Sequence, residues 1–336
     1  MARLVAGNNM SAFAYESGTY ASISGASHWP GLVQNFTPED SEGVQRIRYH
    51  GTSNRNIAKQ IPGARDYGGT IEQYPQHLKF LGFALGSIVD ATTGSPAYFT
   101  HTLKELNSGD MQAYTSGVEN PFVSFTFENS QVFATGQNFV RTYKGCVVDE
   151  YSLEKAGNNE PLVETIKFVA KEMNPTSGAV TLGVPTELTN RPFIPSDVFV
   201  HYPSGTKLNV NTWKLSLKNS FDTEKAHVAS GSREITTPTA TERSYTIECS
   251  MPAESSQAAR LYGLFKSGGN ATENCAIEIR NFGLAASGVS FITGSNADMI
   301  MQAPSPLEGI NSWTLTLYPR NVSAVVQDRV LKYAPW

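Results

Sequence analysis

The sequence predicts a mainly β protein with a few α-helices, built as two tandem β-sandwich or barrel modules, each with a flanking helix. Three observations predict it. Runs at residues 122–128, 213–218 and 313–318 alternate apolar residues with Ser, Thr or Lys at period two, as in an antiparallel sheet wetted on one face. Two stretches, residues 75–89 and 253–266, carry helical apolar spacing. A partial internal repeat sets the number of modules. Gly63-Ala64-Arg65-Asp66, then Gly69-Thr70-Ile71-Glu72, then the apolar run at 78–85 return in the same order as Gly231-Ser232-Arg233-Glu234, Tyr245-Thr246-Ile247-Glu248 and the run at 258–265.

In chain order, residues 1–24 read as an N-terminal arm and residues 25–172 as the first module. Residues 44–49 are rich in β-formers. The helix at 75–89 places Pro75 near its first turn, where a missing N–H costs little. Strands at 122–128 and 147–154 follow, and a polar turn at Gly157-Asn158-Asn159 leads into a strand at 164–169. Residues 173–205 contain Pro175, Pro185, Pro192, Pro195 and Pro203 and read as a connector. The second module covers residues 206–321. It holds the strand at 213–218, a strand at 245–248, the helix at 253–266 stopped by Gly268-Gly269, and strands near 299 and at 313–318. Residues 322–336 read as a C-terminal arm, and both arms are expected to order on assembly.

Composition narrows the function classes. A length of 336 residues fits about two domains. A hydrophobic fraction of 40% is enough for real cores. A net charge of -4 argues against a dedicated nucleic-acid binder, which presents a basic face. Cys146, Cys249 and Cys275 are far apart and odd in number, and read as small buried hydrophobes in a reducing compartment. The N-terminus lacks a signal-peptide apolar region, and no window approaches the ~18 apolar residues of a membrane span. Synthesis in a cytoplasm, as a soluble chain, is the expectation.

Catalytic chemistry has no motif here. The six histidines are scattered, and none has zinc-ligand spacing. Gly82 and Gly86 lie inside a helical run, where glycine serves close packing better than phosphate binding. Glu39-Asp40 and Asp149-Glu150 are sequence neighbours, whose side chains diverge and do not form an acid/base pair. No enzyme activity, cofactor or metal is expected.

Two long loops, residues 51–66 and 222–238, occupy matching places between the first two strands of each module. Hairpin loops usually span about 2–5 residues, and longer structureless ones are uncommon unless functional. They are candidate contact arms, with Arg55, Lys59, Arg65 and Asp66 in the first and Glu224, Lys225, Arg233 and Glu234 in the second. Arg65, Asp66, Arg233 and Glu234 at the loop ends are read as charge pairs between or within subunits, or as ordinary turn residues.

The order of segments resembles the tail tube (major tail) proteins of long-tailed bacteriophages and related archaeal viruses, in their duplicated-module form. The resemblance rests on residues 12–20, the Gly-x-Arg segment at Gly63, and the strand and Leu-rich helix from Gly69 to Gly86. It continues through residues 98–103 before the strand at Phe122, residues 143–150 leading to Pro161-Leu162, and residues 215–221 before Gly231-Ser232-Arg233. Residues 173–205 and 322–336 depart from the pattern.

The resemblance implies a structural virion protein that polymerises as stacked rings into the tail tube. Single-module rings are hexamers, so a duplicated chain implies trimers with pseudo-sixfold symmetry. The lumen would hold the tape measure protein and conduct double-stranded DNA without binding it specifically. Tail tip or baseplate and tail terminator proteins would be further partners, with assembly in the host cytoplasm and final location in the virion tail. Mild acidity suits a channel that must not retain DNA, because basic residues gain counterion release at each phosphate. The alternative is a β-sandwich receptor- or glycan-binding decoration of the virion, which would show an exposed aromatic platform and weak self-association. A hydrolase would instead require a deep pocket with convergent polar groups.

Overall fold

The computed structural model describes residues 4–16, 20–23, 26–47, 59–91, 98–106, 123–133, 138–155, 157, 160–178, 180–203, 205–222, 233–235, 238–252, 255–266, 273–280, 288–302, 312–328, 330 and 333. The first half comprises β1 (Leu4–Tyr15), β2 (Leu32–Pro38), β3 (Ser41–Ile47), β4 (Lys59–Tyr74), α1 (Lys79–Leu85), β5 (Gly86–Ala91), β6 (Phe99–Glu105), β7 (Phe125–Phe133), β8 (Asn138–Lys155), β9 (Val163–Ala170) and β10 (Glu172–Ser177). A 3-10 turn, Pro195–Asp197, leads to β11 (Val198–His201), β12 (Lys207–Leu208), β13 (Thr212–Lys218), β14 (Phe221–Asp222), β15 (Thr239–Ala240) and β16 (Ser244–Pro252). The chain ends with α2 (Ser255–Lys266), β17 (Cys275–Arg280), β18 (Val289–Ser295), β19 (Asp298–Gln302), β20 (Ser312–Tyr318) and β21 (Asn321–Asp328). The protein is mainly β with two α-helices among the described residues, and its open, layered sheets agree with a β-sandwich.

Two large sheets run through both halves. The larger follows the path β19-β20-β16-β13-β8-β9-β4-β2, with β1, β7, β10 and β3 attached off it. The second runs β12-β11-β17-β18-β21-β6-β5. Every pairing is antiparallel. The halves therefore join twice within the chain, at β8 with β13 and at β6 with β21.

Period-two alternation sets the faces. In β13, Trp213, Leu215 and Leu217 are buried while Lys214 and Ser216 are half-buried and Lys218 is exposed. β16 buries Tyr245, Ile247, Cys249 and Met251, and β20 buries Leu315 and Leu317. These apolar faces meet in one continuous core with α1 and the Phe13, Phe80, Phe83 and Phe125 rings. Cys146, Cys249 and Cys275 are buried free thiols within it.

The helix expected at 75–89 is shorter. α1 stops at Leu85 because Gly86 takes a left-handed conformation, φ 94, and the β-branched Ile88-Val89 that follow pair in β5. The loop expected at 51–66 is in part a strand, since β4 starts at Lys59 and pairs with β3. β8 is also longer than the strand expected at 147–154.

The described residues of both expected arms and of the expected connector pack against the body. β1 pairs along β7 and buries Phe13 and Tyr15, so residues 4–15 are not a free arm. β21 lies between β18 and β6 with Val322, Ala324 and Val326 buried, and Tyr333 is fully buried behind it. Residues 173–205 are strapped to the body. The buried Glu128 carboxylate accepts the Thr181 and Leu182 backbone N–H groups at 3.0 and 3.2 Å. Asn190 Nδ2 donates to the Gln76 carbonyl at 2.8 Å.

Candidate assembly surfaces

The first surface is a hairpin. β3 and the leading half of β4 pair from Ser41 opposite Asp66 to Ile47 opposite Lys59, with a register shift between Glu42 and Val44. Gly63 sits at that shift because a Cβ there would meet the Gly43 carbonyl oxygen at 2.7 Å. Val44 and Ile61 are 51% and 44% exposed, unlike the packed strands of the body. A two-stranded ribbon with apolar residues in water lacks a sheet face to bury them.

At the base of this hairpin Arg233, from the second candidate loop, meets the first; residues 223–232 of the second loop lie outside the described residues. The Arg65 N–H donates to the Arg233 carbonyl at 2.8 Å, and Arg233 Nε donates to the Gly63 carbonyl at 2.9 Å. Glu42 lies between the two guanidinium groups, 3.8 Å from Arg65 Nε and in an ion pair with Arg233. Arg233 of the second half is thus in direct contact with Gly63 and Arg65 of the first inside one chain. Asp66 holds a ladder position opposite Ser41, and Glu234 is half-buried beside Arg233. Lys59 opens β4 opposite Ile47. Arg55, Glu224 and Lys225 lie outside the described residues. Glu42 was not singled out from the sequence, because only the β3–β4 register places it opposite Arg65.

The second surface is the polar face of the larger sheet. Asn35, Glu72, Thr165, Ser152, Ser216 and Thr246 lie opposite one another in a row across six strands. Beside it runs the row Thr37, Thr70, Lys167, Glu150, Lys218, Ser244. On the other flank, Glu154, Lys214, Glu248 and Thr316 face the same way. A shallow depression of about 490 Å³ is centred on these residues. Lys214 pairs with Glu154 at 3.0 Å, Lys218 with Glu150 at 3.2 Å and Lys167 with Glu39 at 4.0 Å. Each lysine thus has an acidic partner, and Glu72 and Glu248 add further negative charge to the rows.

A buried polar cluster fixes the C-terminus beneath α1. His101 Nδ1 contacts Asp90 at 2.7 Å, and Nε2 lies 2.8 Å from the Val330 carbonyl and 3.3 Å from Asp328. Burial lowers its pKa, but the bonds to Asp328 and Asp90 outweigh that and raise it to about 9. The Tyr333 ring stacks on His101 at 3.9 Å, and its hydroxyl accepts the Leu78 N–H at 2.8 Å while bonding Asp328. Lys79 lies over the Phe13, Tyr15 and Tyr333 rings at 5.7, 5.6 and 5.8 Å. Burial pushes its pKa down to about 8.

The surfaces are an extended polar sheet face, a projecting hairpin and sheet edges, which suit assembly. The sequence profile of phage tail tube proteins matches residues 36–315. The chain belongs to the phage tail tube protein family. The tail tube protein has no match among curated proteins. Its family makes it a structural component of the virion tail that self-assembles into a tube. No helix among its described residues is long and apolar enough to cross a membrane.

Proposed function

We propose that this chain forms closed rings that stack into the tail tube, with the polar face of the larger sheet turned to the lumen. The observation that carries the reading is the path of the larger sheet, which crosses from one half to the other without a break and ends in strands with no outer partner among the described residues. Ring closure hides such edges, which would otherwise template aggregation.

The arithmetic of closure fits a conduit. Three copies would carry the path of the larger sheet three times around a barrel. At ~4.8 Å strand spacing and ~40° tilt it measures roughly 50 Å between backbones. That leaves room for a DNA duplex, and before ejection for the tape measure protein, once side chains are subtracted. The lumen-facing lysines are paired with acids, so transit meets few free cations and little counterion release. The β3–β4 hairpin, tied to Arg233, would reach an adjacent ring with Val44 and Ile61; their exposure supports this reading. Tail tip or baseplate and terminator proteins would bound the stack, which assembles in the host cytoplasm.

Electron microscopy of the purified protein, alone and with a tail-tip initiator, tests this. Hollow rings or tubes with a pseudo-sixfold outline and three chains per ring are expected. Discrete particles without a channel, binding glycans or cells, would instead favour a decoration protein.

A further inference from the structure

The two halves of the larger sheet share one strand order. From β2 the first half runs β2-β4-β9-β8, and from β13 the second runs β13-β16-β20-β19. Among the four strands of each path, the order in chain terms is first, second, fourth, third. The registers coincide as well. Phe36 lies opposite Ile71, Ile71 opposite Ile166, and Ile166 opposite Tyr151. In the second half, Leu215 lies opposite Ile247, Ile247 opposite Leu317, and Leu317 opposite Met299. Ile71 and Ile247 are also the matched residues of the sequence repeat, so backbone pairing and sequence give the same correspondence.

This correspondence turns the internal seam into a template. Within the chain, the end of the first half (β8) pairs with the start of the second (β13), setting Leu153 opposite Leu215, Ser152 opposite Ser216 and Glu150 opposite Lys218. The end of the second half is β19 and the start of the first is β2. Among the described residues neither pairs with a strand on its outer side. A cleft of about 310 Å³ lies between β2 and the strands β1 and β7 of the same chain, lined by Asn9, Ser11, Val33, Asn35, Phe36 and Gln131. We infer that in the ring β19 of one copy pairs antiparallel with β2 of the next, Met301 opposite Phe36 and Ile300 opposite Thr37. The partner is a second copy of this chain, and the inference rests on the tube reading.

The side chains at these edges fit. Leu153 and Leu215 at the internal seam are 0% and 1% exposed, whereas their counterparts Met301 and Phe36 are only partly buried. Ile300 is 49% exposed, and Phe36 packs its inner side on Phe127 and Phe168. A neighbouring strand would cover what remains. One position differs in sign. The Lys218–Glu150 ion pair of the internal seam becomes Asp298 opposite Glu39, and like charges directly opposite weaken a strand pair. The intermolecular seam is thus the weaker one.

The test uses the full-length chain carrying Ile300→Cys and Thr37→Cys, treated with mild oxidant or a short thiol-to-thiol cross-linker under assembly conditions. The expected product is a ladder of covalent oligomers that ends at the closed ring, absent from either single variant. Ser152→Cys with Ser216→Cys, the internal counterpart, should cross-link without raising the mass. Asp298→Lys should lower the protein concentration needed for assembly severalfold. Rings or tubes in which Ile300→Cys joins Asn35→Cys, or neither residue, would overturn this seam and leave the tube reading standing. Absence of rings, tubes and cross-links together would bring down both.

Discussion

Arg233 Nε donates to the carbonyl of Gly63 at 2.9 Å, across 170 residues of sequence. With the Arg65 N–H returning to the Arg233 carbonyl at 2.8 Å, this joins the base of the β3–β4 hairpin to the second half. Its cations and Glu42 are more than a third exposed, so their Coulomb attraction is largely screened. Its role is to orient the hairpin more than to stabilise the body.

Arg233→Ala should therefore cost about 1 kcal/mol or less in unfolding of the monomer. It should speed amide exchange over residues 60–66 and impair tube elongation. An unfolding change of several kcal/mol with normal tubes would contradict this division of roles.

Gly63→Val should act more strongly at the same place. A Cβ would meet the Gly43 carbonyl oxygen at 2.7 Å, so the ladder must slip or part. The expected outcome is a folded monomer by circular dichroism that makes short or unstacked rings by microscopy. Full-length tubes from this variant would show that the hairpin is dispensable.

Tyr333 is fully buried, with its hydroxyl engaged to Leu78 and Asp328 and its ring on His101. Tyr333→Ala should cost about 3–5 kcal/mol, and Tyr333→Phe about 1–2. Chemical denaturation of both variants measures it, and equal values would mean that the hydroxyl alone matters.

Stability should fall between pH 7 and 8. His101 is raised on folding from 6.5 to about 9, so its contribution is complete below pH 6.5 and is lost as pH rises toward 9. Glu164, held up at about 7 by burial, acts in the same direction but below that window. Lys79, lowered to about 8, acts in the opposite direction above it. The expected loss is roughly 1 kcal/mol across that unit, and His101→Gln should flatten it. An unchanged slope in the variant would assign the titration elsewhere.

Replacing Glu72, Glu150, Glu154 and Glu248 by Gln would leave Lys167, Lys214 and Lys218 less compensated on the face assigned to the lumen. Tubes of this variant should retain duplex DNA in a salt-dependent manner, while unaltered tubes should not. Equal retention by both would remove that face from the channel.

Much of the β architecture was legible because side-chain alternation is a local property. Trp213, Leu215 and Leu217 point to the core, and their period-two spacing announces it. The helix at 255–266 was also close to its expected bounds. What escaped depends on distant partners. β1 contains Gly7-Asn8-Asn9 and shows no alternation, so its strand character comes from pairing with β7. β21 read as a trailing arm because nothing local reveals that β6 and β18 leave a gap for it. The repeated Gly-x-Arg is visible in the sequence, but the contact of Arg233 with Gly63 and Arg65 is not, and Glu42 enters only through register. The continuous polar rows from Asn35 to Thr246 were equally hidden, because only the strand order aligns them.

The position of β21 has a consequence for truncation. It is the middle plank of the second layer, between β18 and β6, and Tyr333 bolts down behind it. A chain cut before Asn321 would strip both neighbours of their partner and bare two rows of backbone donors and acceptors to water. A proteolytic nick there would therefore turn a sealed layer into an adhesive one.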